Sequence, residues 1–232
     1  MDGRILIVDD EMEIADLVEL YLQNEGFTVL KCYDSQSALE HIRKGQIDLA
    51  ILDIMLPDIS GIKLCTTIRE KYKYPVIMLT ARDGELDKIN GLTFGADDYI
   101  TKPFRPLEMI ARVKAQLRRY FEYSGAGGQK NEIIEIAGLV LDVENHECMV
   151  NGVPVILTPT EFSVLKILCQ KRGKTVSGET IFHELWGDEY YSKSNNSISV
   201  HIRHLREKLG DTAEKPKYIK TVWGVGYKIE EQ

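Results

Sequence analysis

Apolar residues follow two different rhythms over the first 120 positions. Short runs rich in β-branched side chains recur as "RILIVDD", "FTVLKC", "LAILDIM", "PVIMLTA" and "DYITKPF", and each predicts a strand. Between them lie amphipathic segments such as "EIADLVELYLQNEG", where Ile14, Leu17, Val18 and Tyr21 recur at helical spacing and Gly26 follows as a stop. Five strands alternating with helices predict an α/β unit: a doubly wound, flavodoxin-like (βα)5 parallel sheet over residues 1–120. Three of the runs are almost continuously apolar, as strands covered on both faces must be.

The rhythm changes after residue 120. The stretch "FEYSGAGGQKNE", residues 121–132, is rich in Gly and polar residues and predicts a flexible linker. Residues 133–232 then predict an α+β unit. Short antiparallel strands come first, with Asn151–Gly152 as a hairpin turn. In "TPTEFSVLKILCQKRG" Thr158 suits a helix N-cap, Pro159 the first helical position, and Glu161 a capping box. Helical patterns follow near 177–186 and 195–209, and "YIKTVWGVGYKI" closes the chain as a tight hairpin around Gly224 and Gly226.

Composition narrows the classes. The 232 residues are 44% hydrophobic and 28% charged, the balance of a soluble globular protein. No apolar run approaches a membrane span, and "MDGRILIVDD" lacks the layout of a signal peptide. The four cysteines, Cys32, Cys65, Cys148 and Cys169, are scattered, so the expectation is a cytoplasmic protein with reduced thiols. The net charge of −7 argues weakly against nucleic acid, but residues 193–228 hold 8 Lys or Arg against 3 Asp or Glu. A local basic patch is what a phosphate backbone responds to.

Ligands of open parallel sheets bind beyond the carboxyl ends of the strands. The polar residues at those ends are Asp9 and Asp10, then Asp53, then Thr80 before the small Ala81, then Lys102 before Pro103. Three carboxylates in one pocket repel each other unless a cation intervenes, and Mg²⁺ suits oxygen ligands of this kind. Asp53 would then attack a phosphoryl donor as a carboxylate nucleophile. Lys102 would pair with the new charge, and the Thr80 hydroxyl would donate to it. A phosphatase of the haloacid-dehalogenase type also uses a strand-end Asp, but it needs a second Asp two residues on, where this chain has Met55.

This ordered set resembles the receiver domain of two-component response regulators. The resemblance implies that Asp53 is the phosphoacceptor and that Asp9 and Asp10 position Mg²⁺ with a backbone carbonyl from Met55. It further implies a phosphate-sensing pair in Thr80 and Lys102, a cis peptide before Pro103, and an aromatic switch residue in Tyr99. Lys88, Asp98, Glu108 and Arg112 match exposed charged positions through which such receivers form a two-fold dimer on phosphorylation.

In the second half, "SNNSISVHIRHLREKLG" is the recognition-helix candidate. Ile198, Ile202, Leu205 and Leu209 share one face. Asn196, Val200, Arg203 and His204 are expected on the opposite face, flanked by Ser197 and Ser199, a mix suited to base edges and phosphates. The strands, the "LTPTEF" helix start, this helix and the hairpin resemble the winged helix-turn-helix domain of OmpR/PhoB response regulators. The resemblance implies that the helix enters the major groove of double-stranded promoter DNA and that the hairpin wing touches the minor groove. Arg203 and Arg206 match contacting positions, as do Thr221 and Tyr227 on the wing. Trp223 and His204 stand where the family often has Arg. Long runs such as "DDYITKPFRPLEMIARVKAQLRRY" are similar to vancomycin-resistance regulators within that family, which implies a sensor histidine kinase as phosphodonor and RNA polymerase as a further partner.

Two functions remain open on the residues. One is a phosphorylation-controlled transcription regulator, not an enzyme beyond its own phosphotransfer and dephosphorylation. The other is a constitutive DNA-binding protein whose first half is a dimerisation scaffold. The complete acidic set with Thr80 and Lys102 favours the first, because a scaffold needs none of it.

Overall fold

The computed structural model describes residues 3–81, 95–124, 132–187 and 197–231. The chain divides into two units, Met1–Tyr120 and Phe121–Gln232.

The first unit contains β1 (Arg4–Val8), α1 (Met12–Asn24), β2 (Thr28–Cys32), α2 (Ser35–Lys44), β3 (Leu49–Asp53), α3 (Gly61–Lys71), β4 (Val76–Thr80), β5 (Asp98–Thr101) and α4 (Pro106–Ser124). All five strands are parallel, in the order β2-β1-β3-β4-β5. Strands β3 and β4 are buried at every position and β1 at all but Arg4, which is why these three runs are apolar without alternation. The edge strand β2 alternates less strictly and is partly open. Asp34 caps α2 by accepting the Ser37 N–H at 2.8 Å. Helix α4 runs on to Ser124, so the first four residues of the segment expected as linker are helical.

The second unit begins with an antiparallel sheet of β6 (Ile133–Ile136), β7 (Leu139–Asp142), β8 (Glu147–Val150) and β9 (Val153–Pro154). The turn between β8 and β9 has φ of +51° at Asn151 and +80° at Gly152, the pair of left-handed residues that a type I′ hairpin requires. Then come α5 (Pro159–Gln170), α6 (Gly178–Trp186), α7 (Ser197–Leu209) and the hairpin of β10 (Ile219–Val222) with β11 (Gly226–Ile229). The capping box at the start of α5 forms as its sequence requires. Thr158 accepts the Glu161 N–H, and the Glu161 carboxylate accepts the Thr158 N–H at 2.8 Å. Ile198, Ile202, Leu205 and Leu209 of α7 are all buried, contributing about 2 kcal/mol each to the core.

Candidate functional site: an acidic pocket and a recognition helix

Register builds the pocket. Val8 pairs with Leu52, Asp53 with Leu79, and Thr80 with Thr101, so four strands end side by side and their next residues converge. One carboxylate oxygen from each of Asp9, Asp10 and Asp53 lies within 4.8 Å of the other two. The Lys102 ammonium sits among them, 2.6 Å from Asp53 Oδ2, 2.8 Å from Asp9 Oδ2 and 2.9 Å from Glu11 Oε1. The second oxygens are held by backbone: Met55 N–H donates to Asp53 Oδ1 at 2.9 Å, and Glu11 N–H to Asp9 Oδ1 at 3.0 Å. Gly61 opens α3 directly against this point, where a Cβ would overlap the Asp53 carbonyl oxygen.

Burial raises the pKa of Asp9, although hydrogen bonding and charge from Lys102 oppose the shift. Burial also works against the Lys102 charge, but the Asp53, Asp9 and Glu11 carboxylates outweigh it and hold the ammonium above its ordinary range. The pocket therefore stabilises positive charge, and its donors are hard carboxylate oxygens. That combination fits Mg²⁺.

Thr80 is buried at the end of β4, and its carbonyl accepts the Lys102 N–H at 2.7 Å. The Lys102–Pro103 peptide is cis. Tyr99 is buried on β5, and burial pushes its hydroxyl pKa up to about 12.

The charged set expected on an exposed dimer face is placed differently. Arg112 and Asp98 are both buried, and they pair within the chain at 3.0 Å. Glu108 holds the other side of the Arg112 guanidinium at 3.0 Å from one turn away on α4. A guanidinium this well covered requires carboxylate partners in its own unit, which is why the pair turns inward. Lys88 lies outside the described residues.

Helix α7 also corrects an expectation. Val200 and His204, expected on the open face, are buried, as is Ser197. Because α7 lies against both α5 and α6, the covered arc runs from Val200 round to Ile202, about 200° at 100° per residue. His204 turns towards Glu161 at the start of α5, with Nδ1 4.0 Å from Oε1. Burial lowers its pKa, against the pull of the Glu161 and Glu207 carboxylates. The open arc holds Ser199, Arg203, Arg206 and Glu207, of which Ser199 and Arg206 are half-covered. Arg203 Nε donates to Glu207 Oε1 at 3.0 Å. Asn196 lies outside the described residues.

The wing is tied to this helix. Arg206 donates to the Ile219 carbonyl at 2.7 and 3.2 Å and to Thr221 Oγ1 at 2.8 Å. Thr221 faces Tyr227 across the ladder, Tyr227 is half-buried, and Trp223 stands out in solvent. Asp211 was not anticipated, yet its carboxylate accepts the N–H groups of Lys217, Tyr218 and Ile219 at 2.6, 3.1 and 2.9 Å. The signal for it is local: a "GD" pair just past the helix end, where an Asp bonds backbone ahead of it. Glu11 was also missed, because it lies beyond the strand end on which the acidic set was counted.

Known proteins agree with both halves. Residues 5–114 match the response regulator receiver domain, and residues 152–229 match the C-terminal domain of transcriptional regulatory proteins. The chain is 66% identical over 230 residues to regulatory protein VanR of Enterococcus faecium, covering 99% of this chain and all of that one. It is 52% identical to regulatory protein VanRc of Enterococcus gallinarum, over 99% of this chain and all of that one. The crystal structure of response regulator DrrB, an OmpR/PhoB homologue of Thermotoga maritima, aligns over the full length of both chains at 31% identity with a TM-score of 0.53. A parallel-sheet receiver with an acidic pocket, followed by a winged helix and matched end to end by such relatives, places this chain in the OmpR/PhoB family of response regulators, which bind DNA under the control of phosphorylation.

Proposed function

We propose that Asp53 is the phosphoacceptor of a two-component system, that its phosphorylation promotes receiver dimerisation, and that the dimer engages promoter DNA through α7 and the wing. The observation that carries this reading is the Lys102 ammonium, held by Asp53 and Asp9 at 2.6 and 2.8 Å. A cation bridging two buried carboxylates is poised to follow new negative charge at Asp53. Asp9, Asp10, Asp53 and the Met55 carbonyl would hold Mg²⁺, which when bound supplies positive charge to neutralise the transferring phosphoryl oxygens.

A sensor histidine kinase donates the phosphoryl group. A carboxylate oxygen of Asp53 forms the new O–P bond as the donor's N–P bond breaks, and that electron pair leaves with the imidazole nitrogen. Met55 N–H steadies Asp53 Oδ1, leaving Oδ2 on the Lys102 side. Lys102 then exchanges part of its carboxylate contact for phosphoryl oxygen, Thr80 donates from the end of β4, and Tyr99 answers the Thr80 shift. The change carries through Lys88, Asp98, Glu108 and Arg112 to a second copy. Because Asp98 and Arg112 are paired inside one chain, the dimer contact requires that pair to reopen. RNA polymerase is the partner at the promoter. Among the described residues no helix is long and apolar enough to cross a membrane. The likeness to VanR supports glycopeptide-resistance genes as the targets and the cytoplasm as the compartment.

The test is acid-labile phosphate incorporation from a small phosphodonor with Mg²⁺. Wild-type chain is expected to label and to dimerise in a sizing column, and Asp53→Asn to do neither. Donor-dependent dimers of Asp53→Asn would return the first unit to the role of a scaffold.

A further inference from the structure

Trp223 is 89% exposed, more than any other large apolar residue among those described, and Val225 beside it is 57% exposed. Both sit in the three-residue turn that joins β10 to β11, closed by Val225 N–H donating to the Val222 carbonyl at 2.9 Å. Gly224 at its centre has a φ of +73°, a conformation that glycine adopts without cost. The tip is apolar where turn tips are ordinarily polar.

The tip is also rigid. Val176 and Tyr227 exchange two backbone hydrogen bonds at 2.8 and 2.9 Å. Gly226 lies so close to the Val176 carbonyl that a Cβ would overlap it. With Asp211 and Arg206 holding β10, the backbone that carries the indole is fixed relative to α7. Backbone ordered beforehand loses little entropy on binding.

The charge of the wing lies on its strands, away from the tip. Lys220 and Lys228 both pair with Glu230, at 2.9 and 2.8 Å. The two lysines and one carboxylate leave the strands of the hairpin a single net positive charge, while its tip is apolar.

We propose, resting on the DNA-binding reading above, that Trp223 backed by Val225 is an apolar wedge for the DNA minor groove. It selects operators by how easily they deform. An aromatic ring is about 3.5 Å thick and enters edge-on a groove about 6 Å wide. Apolar side chains inserted there part a base step and kink the duplex by roughly 20–90° towards the major groove. Pyrimidine–purine steps yield most easily, so the wedge favours a TA or CA step at a fixed distance from the α7 contacts. An Arg at this tip would instead read negative potential.

The test uses the full-length chain, a small phosphodonor, Mg²⁺ and duplexes enriched from a randomised 30-base-pair pool. Trp186 is 4% exposed, so acrylamide quenching of the two tryptophans reports Trp223. DNA is expected to protect it, and end-to-end energy transfer to show a bend. Trp223→Ala is expected to weaken binding about tenfold at every salt concentration, with an unchanged salt slope and a smaller bend. Trp223→Arg is expected to recover part of the affinity, steepen the salt slope by about one unit, and lose the TA/CA preference. A Trp223 that remains quenchable in the complex, with Trp223→Ala keeping affinity and bend, overturns the wedge. Loss of transcription with those properties intact assigns the tip to a protein contact and overturns it equally. Failure of the wild-type chain to enrich any duplex overturns the DNA-binding reading together with this one.

Discussion

In the receiver the Lys102 ammonium is almost fully covered and shared by three carboxylates, whereas on α7 the Arg203 guanidinium stands in solvent beside Glu207. In the function proposed above each meets a phosphate, but the two would do so under different dielectrics. Separating a buried pair exposes an uncompensated charge and costs several kcal/mol, so the receiver site changes state only when another charge arrives. An exposed i,i+4 pair is worth about 0.3–0.5 kcal/mol, so on the proposed reading α7 would exchange its carboxylate for DNA at little cost. On that reading input is gated and output is permissive.

The largest test of that contrast is Lys102→Ala. It leaves Asp9 and Asp53 facing each other in a buried pocket without a cation, and is expected to destabilise the receiver by about 3 kcal/mol in a chelator. Added Mg²⁺ should restore more stability to the variant than to wild type, because it no longer competes with the ammonium. Urea melts with and without Mg²⁺ measure both. Equal Mg²⁺ effects in the two proteins would mean that Lys102 and the metal do not share the site.

The second test concerns Arg206, which behaves as a strut more than as a contact. Arg206→Ala removes its hydrogen bonds to the Ile219 carbonyl and to Thr221 Oγ1, at a cost of about 1–2 kcal/mol. Its effect on DNA affinity should accompany loosening of the wing, read as faster amide exchange at Lys220 and Lys228. Unchanged exchange with weakened, salt-dependent binding would make Arg206 a phosphate contact instead.

The receiver pocket was legible because parallel strands force it. Once five apolar runs are identified, the residues that follow each must share one edge, so Asp9, Asp10, Asp53, Thr80 and Lys102 converge whatever the helices do. The α5 start was legible for a similar reason, since Thr158, Pro159 and Glu161 act within one turn. Helix α7 was half legible. Its four aliphatics define the inner direction, but not how wide the cover is, and that depends on α5 and α6 from elsewhere in the chain. Val200 and His204 fall in that added width. The Arg112–Asp98 pair escaped for the same reason: whether a charge on a helix faces water or a strand 14 residues earlier is not written in its spacing.

His204 supplies a third and smaller test. Its buried ring has a pKa lowered from 6.5, and its Nε2 has no hydrogen-bond partner among the described residues. Above that ordinary value the ring is neutral folded or unfolded and costs nothing. As pH falls below 6.5 the unfolded chain takes up the proton and the folded unit resists it. Stability therefore declines until pH reaches the lowered folded value. His146 is also lowered, by burial first and by Lys166, and adds to the same slope. Urea melts between pH 8 and 5 should show the loss, and His204→Gln should flatten part of it. A slope unaltered by that substitution would place His204 in solvent, and with it the original expectation of an outward, base-reading ring.

The smallest effect is expected at Glu207, and it separates stability from recognition. Glu207→Gln weakens the pair with Arg203 Nε and should cost the fold no more than about 0.5 kcal/mol. The same substitution removes a negative charge from the open face of α7, the face proposed to meet phosphate. If Arg203 reaches the backbone, Glu207→Gln should bind every duplex more tightly at low salt, because no carboxylate has to be displaced first. If instead the carboxylate holds the guanidinium at the angle needed for a guanine, binding to the selected operator should weaken while binding to random DNA rises. The ratio of those two affinities, measured at one salt concentration, decides between a competing carboxylate and a positioning one.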